Sequence, residues 1–301
     1  MEIEIKNGLN MKWRGREQST NVERKGSAGF GGGSGPRGRL PLFIPRSGLG
    51  VIILIGILIF NSGILNNVLP GNNISKEPSY TQGETSSQNK DLEDFLSVVL
   101  KDTEDVWTQL FHERGERYQP TTLFLYNGTA QSACGIARSN VGPFYCSGDT
   151  GVYIDVSFYY ELKDKFHAPG DFALAYVLAH EVGHHVQNQL GIMNQVFEMK
   201  SQLSEKEFNK FMVRMELQAD YFAGVFAHYI QDQGYLEEGD FKEAMDAAAG
   251  VGDDRIQSEA LGRVIPDKFT HGTSEQRMRW FERGFEYGDL EHGNTFSADN
   301  L

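Results

Sequence analysis

The pentapeptide HEVGH, from His180 to His184, lies inside a helical pattern and constrains this chain more than any other feature. On an α-helix, residues four positions apart lie one turn apart on the same face. Two imidazoles placed in this way can bind one Zn²⁺, and Glu181 beside the first of them can act on a water bound to that metal. The motif alone is a weak signal, because this spacing also arises by chance in ordinary amphipathic helices.

A third protein ligand is needed, since a catalytic zinc site has three protein ligands and one open position. The metzincin class would need a glycine at position 187 and a histidine at position 190, where this chain has Gln187 and Leu190. That class is therefore excluded. The other common solution is a glutamate on a second helix, and Glu216 in the sequence ELQAD fits it.

Glu216 is followed four residues later by Asp220, so a helix would put both carboxylates on one face. Glu216 can then reach the metal, and Asp220 can accept a hydrogen bond from a zinc-bound histidine, which we predict to be His180. Glu181 follows as the general base that takes a proton from the attacking water and delivers it to the leaving nitrogen. The predicted ligand set is therefore His180, His184 and Glu216.

Six segments of the chain resemble bacterial neutral zinc metallopeptidases, and together they extend over almost its whole length. The segments are MKWRGREQSTNVE (Met11–Glu23), GPFYCSGDTGVYIDVSFYYEL (Gly142–Leu162), AYVLAHEVGHHVQ (Ala175–Gln187), MELQADYFAGVF (Met215–Phe226), GDDRIQ (Gly252–Gln257) and FTHGTSEQRMRWFERG (Phe269–Gly284). The resemblance implies a zincin-like metallopeptidase domain, zinc peptidase activity, the gluzincin layout of ligands and a single-pass membrane anchor.

Charge is unevenly distributed along the chain. Residues 1–50 contain nine Lys or Arg and four Glu, a net charge of +5, whereas the whole chain carries −13. The remainder therefore carries −18. Such an acidic main domain argues against nucleic acid as a partner.

An uncharged apolar run over residues 48–69, with VIILIGILIF (Val51–Phe60) at its centre, follows the basic segment directly. It is long enough to cross a bilayer, which takes roughly 20 residues. A signal peptide would have a shorter basic region and a clear cleavage site, and a buried core helix is the remaining alternative. We therefore predict a transmembrane helix over 48–69. The basic residues before it predict a cytoplasmic N-terminus and a domain outside the bacterial cell membrane.

Composition on either side of this run sets the predicted domain boundaries. The basic, glycine-containing segment is predicted to be disordered and cytoplasmic, and the polar segment after the run is predicted to be a linker. The boundaries are 1–47 for the disordered segment, 48–69 for the transmembrane helix, 70–90 for the linker, 91–290 for the metallopeptidase domain and 291–301 for a tail.

Within the domain, apolar spacing predicts mainly helices, with short strands near 123–126 and 151–159. Capping boxes at Ser204–Glu207 and Thr273–Gln276 mark the starts of two of the helices. The predicted fold class is α+β, mainly helical, with a small sheet and one preceding transmembrane helix.

The chain contains two cysteines, Cys134 and Cys146. If the domain lies outside the cytoplasm, a disulfide between them is expected. The alternative, a pair of zinc ligands, is weaker because no further Cys or His lies near them in the sequence.

His271 precedes a capped helix that carries Arg277. This segment is similar to the His-Pro-Pro-x-x-x-Arg segment of membrane-associated HExxH peptidases, with Gly-Thr in place of Pro-Pro. We predict that His271 or Arg277 stabilises developing charge near the oxyanion, with a structural cap or a buried ion pair as the alternative. His185 points away from the zinc face and is predicted to be packed or hydrogen-bonded.

The predicted function is that of a membrane-anchored zinc endopeptidase acting on peptide or protein substrates. One alternative is a zinc-binding but non-catalytic scaffold or partner-binding protein of the envelope. A chance HExxH in a structural membrane protein is the other, and it predicts no bound zinc.

Overall fold

The computed structural model describes residues 11–25, 52–54, 85–138 and 141–301. Its helices carry most of the described residues. They are α1 (Thr85–Glu113), α2 (Phe158–Asp164), α3 (Asp171–Gln189), α4 (Ile192–Glu198), α5 (Glu205–Asp232), α6 (Asp240–Gly250), α7 (Asp253–Leu261) and α8 (Ser274–Tyr287). Single 3₁₀ turns lie at Met199–Ser201, Pro266–Lys268 and Glu291–Gly293.

The strands form a mixed five-stranded sheet and a separate hairpin. They are β1 (Val22–Lys25), β2 (Ile52–Leu54), β3 (Thr122–Tyr126), β4 (Thr129–Ser132), β5 (Gly135–Arg138), β6 (Phe144–Cys146) and β7 (Gly151–Asp155). The sheet order is β1-β3-β7-β6-β2, and β4 pairs with β5. Strand β3 lies parallel to both β1 and β7, whereas β6 lies antiparallel to β7 and β2. The prediction of a mainly helical fold with a small sheet is confirmed.

Helix α3 is the centre of the packing. Every residue from Asp171 to Gln187 is buried, as expected for a helix that is covered on all sides. It contacts α1, α5, α6 and strands β6 and β7. The predicted capping boxes are both present, with Ser204 and Glu207 opening α5 and Thr273 and Gln276 opening α8. These caps fix where α5, which packs on α3, and α8, which packs on α5, begin.

Helices α5 and α8 approach each other unusually closely at two glycines. A Cβ added to Gly224 would lie 2.0 Å from the carbonyl oxygen of Phe281, and one added to Gly284 would lie 1.9 Å from that of Tyr221. Neither position can hold a larger side chain without moving a backbone. This contact brings α8 close enough for a side chain near its start to reach α5.

The predicted transmembrane helix over residues 48–69 is wrong. In the part of the chain that the structure describes, no helix is both long and apolar enough to cross a bilayer. The described residues of that run, Ile52–Leu54, form β2 and pair antiparallel with β6. A short apolar run fits a strand as well as a helix, so hydropathy alone could not predict β2. The rest of 48–69, and residues 70–84 of the predicted linker, lie outside the described residues.

The prediction of disorder over residues 1–47 needs correction for residues 11–25, which pack against the domain. Met11 and Trp13 are buried in the core, with the Trp13 ring 5.9 Å from that of Phe95. Strand β1 pairs with β3. The remaining residues of 1–47 lie outside the described ones.

The predicted linker and tail also contain structured residues. Residues 85–90 belong to α1. After residue 290, the carbonyl oxygen of Ala298 accepts a hydrogen bond from Arg214 on α5 at 3.1 Å, and Thr295 is fully buried. The C-terminal residues therefore pack on the helix that carries the predicted third ligand.

The predicted disulfide is confirmed. Cys134 and Cys146 are bonded, with their Cα atoms 5.8 Å apart, and the bond joins the end of β6 to the turn of the β4–β5 hairpin. Cys146 is fully buried beside the stacked rings of Phe144 and Tyr153, whose centroids lie 4.8 Å apart. The disulfide therefore anchors the hairpin to the main sheet.

Candidate metal centre

The structure brings His180, His184 and Glu216 together between α3 and α5. One ligand-capable atom from each lies within 4.8 Å of the others, and all three residues are at most 1% exposed. Nε2 of His180 lies 3.2 Å from Oε2 of Glu216, and Nε2 of His184 lies 3.6 Å from Oε1. Two histidines at i,i+4 on α3 and one glutamate on the neighbouring helix thus direct their ligand-capable atoms to one place.

Close contact between α3 and α5 depends on Gly183, the fourth residue of the HEVGH motif. A Cβ at this position would lie 3.2 Å from the Cα of Ala219 and 3.1 Å from its carbonyl oxygen. Ala219 lies between Glu216 and Asp220 in the sequence. The glycine therefore lets the second helix come near enough to present both carboxylates to the two histidines.

Each of the two histidines is oriented by a partner at its other ring nitrogen. Nδ1 of His180 lies 2.8 Å from Oδ1 of Asp220, and Nδ1 of His184 lies 2.9 Å from Oε1 of Gln187. An N–H on Nδ1 donating to these oxygens leaves the Nε2 lone pair of each ring directed to the site. Asp220 therefore lies within hydrogen-bonding distance of His180.

Gln187 is a site residue that the sequence reasoning missed. Besides holding His184, its side-chain amide donates to the carbonyl oxygen of Met215 at 2.7 Å and to Oε1 of Gln218 at 3.0 Å. The available signal was its position three residues after His184, on the same face of the helix. Its bonds to α5 tie one proposed ligand to the backbone beside another, Glu216.

Several polar atoms at the centre are buried and have no hydrogen-bond partner among the residues that the structure describes. They are Nε2 of His184, Oε1 of Glu216 and both carboxylate oxygens of Glu181. Buried polar atoms normally have a hydrogen-bond partner. A cluster of buried polar atoms without one therefore indicates a site for a bound ion or ligand. Two imidazoles and a carboxylate are a donor set typical of zinc, and the residues therefore fit that metal.

Glu181 lies beside the three predicted metal ligands but is not one of them. It is fully buried, and that burial raises the pKa of its carboxyl to about 7. A carboxyl with a pKa in this range can both accept and release a proton near neutral pH, as general acid–base chemistry requires.

Arg277 forms a buried ion pair with Asp220, the alternative that the sequence left open. Its Nε and Nη2 donate to the two carboxylate oxygens, each at 2.8 Å, and both residues are fully buried. The hydroxyl of Tyr176 donates to Oδ1 of Asp220 at 2.6 Å. Burial would raise the pKa of Asp220, but the guanidinium outweighs it and holds that pKa below its usual value. Asp220 therefore stays ionised behind His180.

His271 lies at the edge of the centre, and its partner there is Asp253. The Oδ2 of Asp253 accepts the backbone N–H groups of Thr270, His271 and Gly272 at 2.7, 2.7 and 3.1 Å. Its Oδ1 lies 3.2 Å from Nδ1 of His271. Burial lowers the pKa of His271, but the charges of Glu216 and Asp253 outweigh it and raise that pKa to about 9. A positively charged imidazole is therefore held beside the ligand set.

His185 is packed and hydrogen-bonded, as predicted. Its Nδ1 lies 3.0 Å from the hydroxyl of Tyr145, and its Nε2 lies 2.7 Å from the carbonyl oxygen of Gln119. It points to the sheet side of α3, away from Glu216.

Comparison with known proteins identifies a matching family and similar bacterial proteins. A family model described as "Putative neutral zinc metallopeptidase" matches residues 11–296. "Uncharacterized protein YpfJ" of Escherichia coli (strain K12) is 48% identical over 287 residues, which are 95% of this chain and 99% of that protein. "Uncharacterized protein Rv2575" of Mycobacterium tuberculosis (strain H37Rv) is 42% identical over 195 residues, which are 61% of this chain and 65% of that protein. No solved structure matches the chain.

Proposed function

This chain belongs to the neutral zinc metallopeptidase family, and from that membership we propose that it hydrolyses peptide bonds with zinc as its cofactor. The observation that carries the proposal is the convergence of His180, His184 and Glu216, whose ligand-capable atoms lie close together. Some of these atoms, and the carboxylate oxygens of Glu181, have no hydrogen-bond partner among the described residues. A structural zinc site would need no such carboxylate, and it would have a fourth protein ligand.

The chain's own residues supply positioning and proton transfer. Zinc held by the three ligands would supply Lewis acidity, which polarises a peptide carbonyl and lowers the pKa of water. Glu181 takes the proton of the attacking water and then delivers it to the leaving nitrogen. Asp220 keeps the Nδ1 proton on His180, and Arg277 keeps Asp220 charged, so the first ligand is held in one tautomer.

His271 is proposed to stabilise negative charge that develops on the substrate oxygen. The support is its burial beside Glu216 and the ion pair with Asp253 that favours its charged form. His271→Gln should lower kcat by about 10²–10³-fold, as is typical for removal of one oxyanion donor, and leave zinc content unchanged. If zinc were lost together with activity, His271 would be a structural support of the ligand set instead.

Metal content is the first test of the proposal. We expect one zinc per chain by elemental analysis of the purified protein, and a zinc affinity more than about 100-fold weaker in Glu216→Ala, since even outer partners of metal ligands contribute 10–100-fold. The matched control is Glu205→Gln, which removes an exposed carboxylate from the same helix. A folded wild-type protein that binds no added zinc would contradict the proposal.

A zinc-binding scaffold without catalysis is the second candidate, and one observation favours it. The three ligands and Glu181 are at most 1% exposed, so a peptide can reach them only after the surrounding helices move. Hydrolysis of an unstructured protein such as casein by the zinc-loaded chain, and its loss after chelation, would decide for the peptidase. Zinc binding without hydrolysis of any peptide in a broad library would decide for the scaffold.

We further propose that the domain functions in an oxidising compartment, outside the cytoplasm. The buried Cys134–Cys146 disulfide supports this, because such bonds persist in oxidising compartments and are rare in the cytosol. Since β1 pairs with β3, residues 11–25 would lie in the same compartment. Thiol labelling of the protein in intact cells should find no free cysteine; two labelled cysteines would contradict the proposal.

A further inference from the structure

A second cluster of acidic side chains lies at the far end of α3 from the metal centre. Asp171 is the first residue of α3, and Asp240 and Glu243 lie in the first turn of α6. Carboxylate oxygens of the three lie within 4.8 Å of one another, and both aspartates are at most 1% exposed. His180 lies nine positions after Asp171, roughly 14 Å along the helix, so the acidic cluster is distinct from the predicted metal ligands.

Among the described residues, no Lys, Arg or His side chain forms an ion pair with the three carboxylates, and the positive charge that acts on Asp240 is that of Lys12. The hydrogen bonds that the cluster accepts come from backbone N–H groups: Met11 to Asp171 at 2.7 Å, Phe172 to Glu243 at 3.1 Å and Glu237 to Asp240 at 2.8 Å. Oδ1 of Asp171 is buried, and no described residue is its hydrogen-bond partner. Burial and mutual repulsion raise the pKa values of Asp171 and Glu243 to about 7 each. Three neighbouring carboxylates in such a place are stable only when protonated or when a cation joins them.

The atom that reaches into the cluster is the backbone nitrogen of Met11. It lies 2.7 Å from Oδ2 of Asp171, and the methionine side chain is 2% exposed. The family model also begins its match at residue 11. An ammonium nitrogen with N–H···O distances of about 2.8 Å holds its acceptor oxygens roughly 4.6 Å apart. The carboxylate oxygens of the cluster lie within 4.8 Å of one another, so one such group can approach more than one of them.

We infer that Asp171, Asp240 and Glu243 form a binding site for the α-ammonium group of a chain whose first residue is Met11. The group donates to Asp171, whose carboxylate lies beside those of Asp240 and Glu243. It thereby joins the start of the chain to the first turns of α3 and α6. A divalent cation would be an alternative occupant, but the N–H of Met11 already occupies Oδ2 of Asp171 in the observed arrangement.

The first test is the N-terminal peptide of the protein purified from cells that carry its natural gene. Mass spectrometry should find a peptide that begins at Met11 with a free amine. A peptide that begins at Met1 would overturn the inference. So would a peptide that begins at Met11 but carries a formyl or acetyl group, because either group removes the positive charge.

Thermal unfolding of the full 1–301 chain and of a chain that starts at Met11 gives a second test. Both contain every element that the structure describes. The shorter chain should unfold several degrees higher at pH 7. Asp171→Asn should make the two chains equal; Glu243→Gln serves the same purpose if the first variant does not fold. Equal unfolding temperatures for the unsubstituted chains, or an equal gain of the full chain in Ca²⁺ or Mg²⁺, would overturn the inference.

The pH dependence of the same two chains should differ as well. Carboxyls whose folded pKa is raised stabilise the fold below their unfolded pKa, near 4, and lose that contribution as pH rises to about 7. The full chain should therefore lose stability over this range, and the chain with an ammonium at Met11 should lose much less. The other charged and titratable groups around the cluster are Lys12, Tyr159, Glu237 and Asp246, and they are common to both chains. Parallel pH profiles would contradict the inference.

Discussion

Glu181→Gln should reduce peptide hydrolysis by about 10²–10⁴-fold while zinc stays bound, because general acid–base groups typically contribute that much to the rate. The amide has nearly the shape of the carboxyl but cannot accept a proton. Both carboxylate oxygens of Glu181 are buried and have no hydrogen-bond partner among the described residues, so the substitution breaks no hydrogen bond there. The measurement is kcat on a zinc-saturated protein, with zinc content determined on the same sample.

Two controls make this result specific to the proton transfer. Glu205→Gln makes the same chemical change at an exposed position and should leave kcat unchanged. Glu181→Asp keeps the carboxyl but withdraws it by one methylene, so it should retain part of the rate. Full hydrolysis in Glu181→Gln would remove Glu181 from the mechanism, even if the zinc site itself were sound.

Arg277→Met should lower the free energy of unfolding by about 3–5 kcal/mol, since removal of one partner leaves the other charge buried and uncompensated. Asp220 would keep only Tyr176 and His180 as partners. Without Arg277, the carboxylate of Asp220 would be protonated more easily. A protonated Asp220 no longer fixes the proton on Nδ1 of His180, so zinc affinity should fall. Urea unfolding gives the stability, and a metal titration gives the affinity.

The same helix offers a matched control for this prediction. Arg279 lies two residues further along α8, and its pair with Glu275 is exposed. Arg279→Met should therefore change the unfolding free energy by no more than about 0.5 kcal/mol. The double variant Arg277→Met/Asp220→Asn should lose less than the sum of the single losses, because no unpaired charge remains. Equal losses in Arg277→Met and Arg279→Met would mean that the buried pair is not a strong interaction.

The candidate centre was largely predictable because its pattern is local. The spacing of His180 and His184, and that of Glu216 and Asp220, follows from helical periodicity alone. The partners of Gln187 could not be predicted in the same way. They lie on a different helix and depend on how closely α3 and α5 pack.

The start of the chain was mispredicted for a related reason. Residues 11–25 contain few apolar positions, so their composition is that of a disordered segment. Their structure comes from single long-range contacts, such as Ser19 with the carbonyl oxygen of Ser97 and Trp13 with Phe95. Composition cannot report such contacts, and neither can it separate an apolar strand from an apolar helix in the run that contains β2.

The burial of the predicted ligands has a kinetic consequence. A chelator cannot touch a metal held by side chains that are at most 1% exposed until α3 and α5 separate locally. Release of metal should then become independent of chelator concentration once the chelator is in excess, and its limiting rate would be that of the opening itself. A peptide has to pass through the same opening to reach Glu181. The limiting rate of metal release would therefore be an upper limit for kcat.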